Sequence, residues 1–200
     1  MVDEKQMKLR AGLMRQRTVV LAGEINREST GEAAKDLLTL QSESMERINL
    51  LIDSVGGQNR PALQLCDFIE HVITAPVRGI AMGSCMSAAT FVMLHCHERV
   101  SLPHARFLIH PGSMRGITIS TNDSTPKDLE LLLAESRDVA EEMIELYMRK
   151  LKKKRKEVEG LIRRGDQRFN ETLSAVQAVE IGLVERIITE NLELFPRATS

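Results

Sequence analysis

Arg78 to His110, RGIAMGSCMSAATFVMLHCHERVSLPHARFLIH, holds the densest chemistry in the chain and decides how the rest is read. Within it, Gly83-Ser84-Cys85-Met86-Ser87-Ala88-Ala89 sets a hydroxyl among small residues, directly before the apolar Thr90-Phe91-Val92-Met93-Leu94. That pattern is a turn feeding a buried helix. Further on, Arg106-Phe107-Leu108-Ile109 reads as a strand that ends at His110, because Pro111-Gly112 cannot continue it. A serine at a helix N-terminus lies beside free backbone N–H groups and the positive end of the helix dipole, which also suit an oxyanion. A histidine at a strand end serves as its base if the fold joins the two.

Working outward, Val77-Arg78-Gly79-Ile80-Ala81 is the strand leading into this turn. Before it come a strand at Thr18 to Gly23, an amphipathic helix from Ser29 to Ser42 and a strand at Ile48 to Asp53. A Ser54-Val55-Gly56-Gly57 turn and a helix near Arg60 to Val72 follow. Strand and helix alternate, so the expected class is α/β with a mostly parallel sheet and crossover helices. Residues 1–16 are polar and read as an N-terminal arm, and 17–200 as a single domain. Beyond His110, Gly112 to Ser120 leads to a polar break at Thr121 to Pro126. Thr125, Pro126 and Asp128 mark the start of a long helix from Lys127 to Lys150. Leu129, Leu132, Leu133, Val139, Ala140, Met143, Ile144 and Tyr147 form its apolar stripe. A short helix from Glu157 to Ile162 ends near Arg164-Gly165.

Composition bounds the function. The chain of 200 residues balances 27 basic against 28 acidic side chains, which gives no electrostatic reason to expect nucleic acid as a partner. The basic run Lys150 to Lys156 is followed by Glu157 and Glu159 and reads as a solvated helix end. Cys66, Cys85 and Cys96 are odd in number and form no CxxC pair, so a reducing, cytoplasmic setting is expected. No run of about 18 apolar residues occurs, and MVDEKQMKLR lacks the apolar core of a signal peptide, so neither membrane insertion nor secretion is expected. His95-Cys96-His97 lacks further ligands at metal-binding spacing, and no metal or other cofactor is expected. Cys85 is a rival nucleophile that reads better as small-residue packing.

The order Ile-Asp-Ser-Val-Gly-Gly (Ile52 to Gly57), Gly-x-x-x-Ser-Ala-Ala (Gly83 to Ala89) and Leu-Pro-His-Ala-Arg-Phe-Leu-Ile-His (Leu102 to His110) resembles the proteolytic subunits of the Clp protease family. The resemblance runs from about Arg17 to Ile188, and Leu173 to Glu185, LSAVQAVEIGLVE, matches a C-terminal signature of the family. It implies the ClpP/crotonase-like fold, with repeated β-β-α and βαβ units and a protruding strand-helix handle at about 112–150. It also implies a serine endopeptidase that cleaves unfolded proteins or short peptides inside an oligomeric chamber. The expected partners are further copies in a heptameric ring or a tetradecamer of two rings, a ClpP paralogue and an ATP-driven AAA+ unfoldase. The start of this chain matches little of the family's docking segment.

By the same resemblance Ser87 is the nucleophile and His110 the base. Gly57, beside Gly56, and Ala88 supply backbone N–H groups to an oxyanion hole. Gly56-Gly57 also has a plainer reading, a tight turn that needs positive φ. Counting back from Leu173, the family's catalytic aspartate falls on Asn170, with Asp166 as rival. An asparagine carbonyl oxygen can hold the imidazole N–H, as in Cys-His-Asn enzymes, but adds no charge. Phe169 stands where the family has an arginine that locks ring assembly; Arg168 or Arg163 is a substitute. Two alternatives remain: a catalytically weak or regulatory ring subunit partnering an active paralogue, and an acyl-CoA enzyme of the crotonase type, which gives Ser87 and His110 no role.

Overall fold

The computed structural model describes residues 4–110, 126–165 and 171–190. The elements are α1 (Glu4–Arg15), β1 (Thr18–Ile25), α2 (Arg27–Glu43), β2 (Ile48–Gly57), α3 (Asn59–His71), β3 (Val77–Met86), α4 (Ala88–His95), β4 (Glu98–Ser101), β5 (Arg106–Leu108), α5 (Pro126–Leu151), α6 (Arg155–Arg164), β6 (Leu173–Ser174), α7 (Ala175–Glu180) and β7 (Arg186–Ile187). The chain divides into two compact units, Met1–Leu108 with Thr172–Ser200, and Ile109–Glu171. Among the described residues no helix is long and apolar enough to cross a membrane.

The first unit is built on a sheet in the order β1-β2-β3-β4-β7, all parallel, as the strand-helix rhythm predicts. Ile48, Leu50, Leu51 and Ile52 are all buried, since both faces of β2 are covered. One face packs as Leu51, Ile80 and Val100, one from each of three neighbouring strands, with Ile188 just past the end of β7. Helix α4 is buried along its whole length, so Phe91, Val92, Met93 and Leu94 show no amphipathic face. The start of α2 is fixed by Asn26, whose side chain accepts from the N–H groups of Glu28 and Ser29. Its end is held by the Arg17 guanidinium, which donates to the carbonyls of Leu40 and Ser44.

Two strands run further than the residues foretell. β2 continues through Ser54-Val55-Gly56-Gly57 because Gly23, Glu24 and Ile25 of β1 pair along it. β3 continues from Ala81 to Met86 because a new partner replaces the old: Arg78–Ala81 pair with β4, Ser84–Met86 with β5. β5 in turn pairs antiparallel with β6, through Arg106↔Ser174 and Phe107↔Leu173. Serine and glycine signal turns locally, yet pairing with β1 and with β5 carries the two strands on through them.

The second unit contains α5 and α6. Helix α5 begins at Pro126, as the N1 proline predicts; Thr125 and the strand expected at Gly112 to Ser120 lie outside the described residues. Met143, Leu146 and Tyr147 are buried on α5, and Val158 on α6. Arg155 of α6 reaches Glu141 of α5 at 2.7 Å. The basic run is interleaved with acids: Lys153 lies 3.7 Å from Glu157 and Arg155 3.6 Å from Glu159.

Charge is buried at the start of the sheet. Arg78, second residue of β3 and 3% exposed, donates to Glu98 at 2.9 Å, and Arg186 and Arg47 reach the same carboxylate at 2.9 and 3.3 Å. Burial alone would raise the Glu98 carboxyl, but hydrogen bonds from Arg186 and Arg78 and the charge of Arg47 outweigh it and hold it below the usual carboxylate range. A lowered folded-state pKa means stability that is present at neutral pH and lost as pH falls through that pKa. Glu98→Gln is expected to cost about 1–3 kcal/mol at pH 7, because it leaves Arg78 buried beside a neutral group. The variant should also lose less stability than wild type on acidification below about pH 4. Urea unfolding at fixed protein concentration across that range checks both, and an acid limb identical to wild type overturns the assignment.

Candidate active site

The central feature is the junction of β3 with α4. Ser87 is the N-cap of α4 at φ 53°, ψ −128°, in the left-handed half of the map that a side chain rarely enters. Its hydroxyl does not cap the helix that follows. The capping role falls instead to backbone and Thr90: the Ser87 carbonyl accepts from Thr90 N–H at 2.9 Å and from Thr90 Oγ1 at 2.6 Å. The Ser87 N–H donates to Leu108 O at 2.7 Å, so β5 fixes the other side. A strand turning sharply into a helix with the serine at its apex is the form of a nucleophile elbow. Ala88, the first residue of α4, is fully buried, and its N–H belongs to the first turn, which has no partner within the helix.

The end of β2 lies against this junction. Gly56 has φ +91°, and a Cβ on it would stand 2.6 Å from Met86 O, 2.6 Å from Ser87 Cβ and 3.0 Å from Ala88 N. Only glycine permits that approach. Its N–H donates to Ser54 Oγ at 3.0 Å, and the same hydroxyl donates to Gly23 O at 2.6 Å. Gly56 therefore brings proximity, with its own N–H engaged. Gly57 ends β2, paired with Ile25. A Cβ there would run into the Ile25 backbone, so both glycines answer to space.

His110 is half-buried and follows β5 by two residues. It belongs to the second unit; Asn170, Asp166, Arg168 and Phe169 lie outside the described residues. Arg163, exposed near the end of α6, is described.

The other reactive groups have local duties. Cys85 is wholly buried, and burial, with a lesser contribution from Cys96, pushes its thiol well above the ordinary range, which removes the thiolate a nucleophile needs. The Cys96 thiol is likewise pushed up by burial, to about 12, and donates to Val92 O. His95 Nδ1 donates to Phe91 O at 2.7 Å and its Nε2 lies 3.3 Å from Glu70; His97 Nδ1 accepts from Val77 N–H. His104 is exposed. Among the described residues no three His, Cys, Asp or Glu side chains gather to hold a metal.

Two residues here escaped the sequence reading. Ser54 cradles Gly56, and Asp53 accepts from Ser84 N–H at 2.7 Å. Ser54 was signalled: a serine two residues before a glycine commonly accepts the glycine's N–H. Nothing local points Asp53 at Ser84, because that contact crosses strands.

The family model described as Clp protease matches residues 2–191. A curated relative, the ATP-dependent Clp protease proteolytic subunit 2 of Treponema denticola, is 37% identical over 97 residues, which is 47% of this chain. The match spans about half, 48%, of that relative's own length. A family match over nearly the whole chain places the protein: it belongs to the Clp protease family.

Proposed function

We propose that the chain is the proteolytic subunit of a Clp-type serine endopeptidase, with Ser87 as nucleophile, His110 as general base and Asn170 orienting the histidine. The observation that carries this reading is the Ser87 elbow. A non-glycine residue at φ 53° costs about 1–3 kcal/mol, and the hydroxyl it presents is not used to cap the helix. Leu108, whose carbonyl takes the Ser87 N–H, precedes His110 by two residues, a chain length of about 7 Å at most.

In the proposed reaction Ser87 Oγ attacks the peptide carbonyl while His110 takes its proton. The carbonyl oxygen becomes an oxyanion that receives the N–H groups of Ala88 and Gly57. Collapse breaks the C–N bond, His110 protonates the departing amine, and an ester on Ser87 remains. Water, deprotonated by His110, then hydrolyses that ester and restores the serine. Asn170 accepts the other imidazole N–H through its carbonyl oxygen and supplies orientation without charge; Asp166 is the rival for that place. Substrates are unfolded chains or short peptides, cleaved inside a ring of copies of this chain. The relative's name supports an ATP-driven unfoldase as partner. The buried, unbridged cysteines support a cytoplasmic setting.

Hydrolysis of short fluorogenic peptides, with oligomer mass recorded, tests the reading. Ser87→Ala should abolish cleavage and labelling by a serine-reactive phosphonate, while Asn170→Asp retains or raises cleavage. Assembled wild type that neither cleaves nor takes the label overturns it. If activity then appears only in Asn170→Asp or on mixing with a paralogue, the chain is a ring subunit whose own site is idle.

Gly56→Ala provides a geometric check. Its Cβ must displace Met86 O and Ser87, and a shift of about 1 Å at a nucleophile costs on the order of 10²-fold in rate. Phosphonate labelling of Ser87 should slow by about that factor; labelling at the wild-type rate contradicts the role given to the elbow.

A further inference from the structure

We propose that Asp53 is a positioning residue for the nucleophile turn, acting through the backbone of Ser84; the proposal rests on the reading of Ser87 as nucleophile. The β2–β3 ladder holds register from Ile48↔Val77 to Ile52↔Ala81 and resumes at Ser54↔Cys85. Between those pairs β2 has Asp53 alone, whereas β3 has Met82, Gly83 and Ser84. Such a bulge bends its strand and breaks the local ladder.

Asp53 organises the break. One carboxylate oxygen accepts Ser84 N–H at 2.7 Å, a charge-assisted bond to a backbone donor inside the bulge. The carboxylate also occupies the room a side chain on Gly83 would need: a Cβ there would lie 2.7 Å from Asp53 Oδ1 and 3.2 Å from its Cγ. Two of the three bulged residues are therefore set by one side chain.

The bulge is also where β3 changes partners. Arg78–Ala81 lie along β4 and Ser84–Met86 along β5, so the bend at 82–84 directs the strand toward the edge whose last carbonyl, Leu108 O, takes the Ser87 N–H. Ser87 follows Ser84 by three residues, and each is held by a bond from outside β3. Asp53 shapes the approach to the elbow without needing to meet substrate.

The test uses the full chain in its assembled form, with Asp53→Ala, Asp53→Asn, Gly83→Ala and the double variant Asp53→Ala/Gly83→Ala. Peptide kinetics, the rate of phosphonate labelling at Ser87 and hydrogen exchange over 83–88 are measured for each. Asp53→Ala should lower kcat by about 10- to 100-fold with KM within about twofold, the mark of misplaced reacting groups. Asp53→Asn should recover most of that loss, since its amide oxygen still accepts the Ser84 N–H. Gly83→Ala should be harmful in the wild-type background and add little in Asp53→Ala, because the clashing carboxylate is gone. Exchange over 83–88 should quicken in Asp53→Ala.

Equal labelling of Ser87 in wild type and Asp53→Ala overturns the positioning role and leaves the nucleophile assignment intact. Additive losses from Asp53→Ala and Gly83→Ala also overturn the positioning role. A wild-type Ser87 that takes no label, with exchange over 83–88 still quickened by Asp53→Ala, sinks the nucleophile assignment and this proposal with it.

Discussion

The close approach of Gly56 to the β3–α4 junction is the constraint on which the site depends. A single Cβ at that position would overlap Met86 O and Ser87 Cβ, so the missing side chain fixes how near β2 comes to the elbow. Neighbouring groups then convert proximity into rigidity. Ser54 holds Gly56 through its N–H and anchors to Gly23 on β1, while Thr90 closes the Ser87 carbonyl from the helix side. None of these parts belongs to a long loop. The hydroxyl, the Ala88 N–H and the Gly56 cradle are carried on paired strands and on the first turn of a buried helix, which is how a site keeps its geometry within a fraction of an ångström.

The two ends of the parallel sheet have different work. At the amino ends of the strands Arg78 is buried against Glu98, and Arg47 and Arg186 reach the same carboxylate. At the carboxyl ends lie Gly56, Gly57 and Ser87, where strands stop and a helix dipole begins. Open parallel sheets generally place ligands at their carboxyl ends. The ion pairs and the candidate site are thus separated by the length of a strand, and Arg78 can be buried against its carboxylate without competing for the polar groups at the other end.

Much of this was legible in the residues, for identifiable reasons. The helices and strand cores follow from apolar periodicity, and Ser87 before Thr90-Phe91-Val92-Met93-Leu94 reads as a helix start because small residues precede an unbroken apolar run. The reading stopped β2 at Asp53 and β3 at Ala81, while the strands reach Gly57 and Met86. Local chemistry argued for turns at Ser54-Val55-Gly56-Gly57 and Gly83-Ser84; pairing with β1 and β5 decided otherwise. Pairing is set by residues far along the chain, so no window of sequence contains it. Asp53 was hidden for the same reason: its carboxylate answers a bulge on another strand. Asn170, Asp166 and the expected handle strand lie outside the described residues.

The strain at Ser87 bears on whether the chain is a working peptidase or an idle ring subunit. A residue with a Cβ at φ 53° costs about 1–3 kcal/mol, whereas glycine adopts such angles at little cost. A subunit that served only to complete a ring would be relieved of that strain by glycine, with no helix-cap hydrogen bond lost, since the hydroxyl does not cap α4. The surroundings instead hold the strained residue in place through Leu108 O, Thr90 and the Gly56 cradle. Local strain retained where the hydroxyl does not cap the helix is what the proposed nucleophile role would require of Ser87.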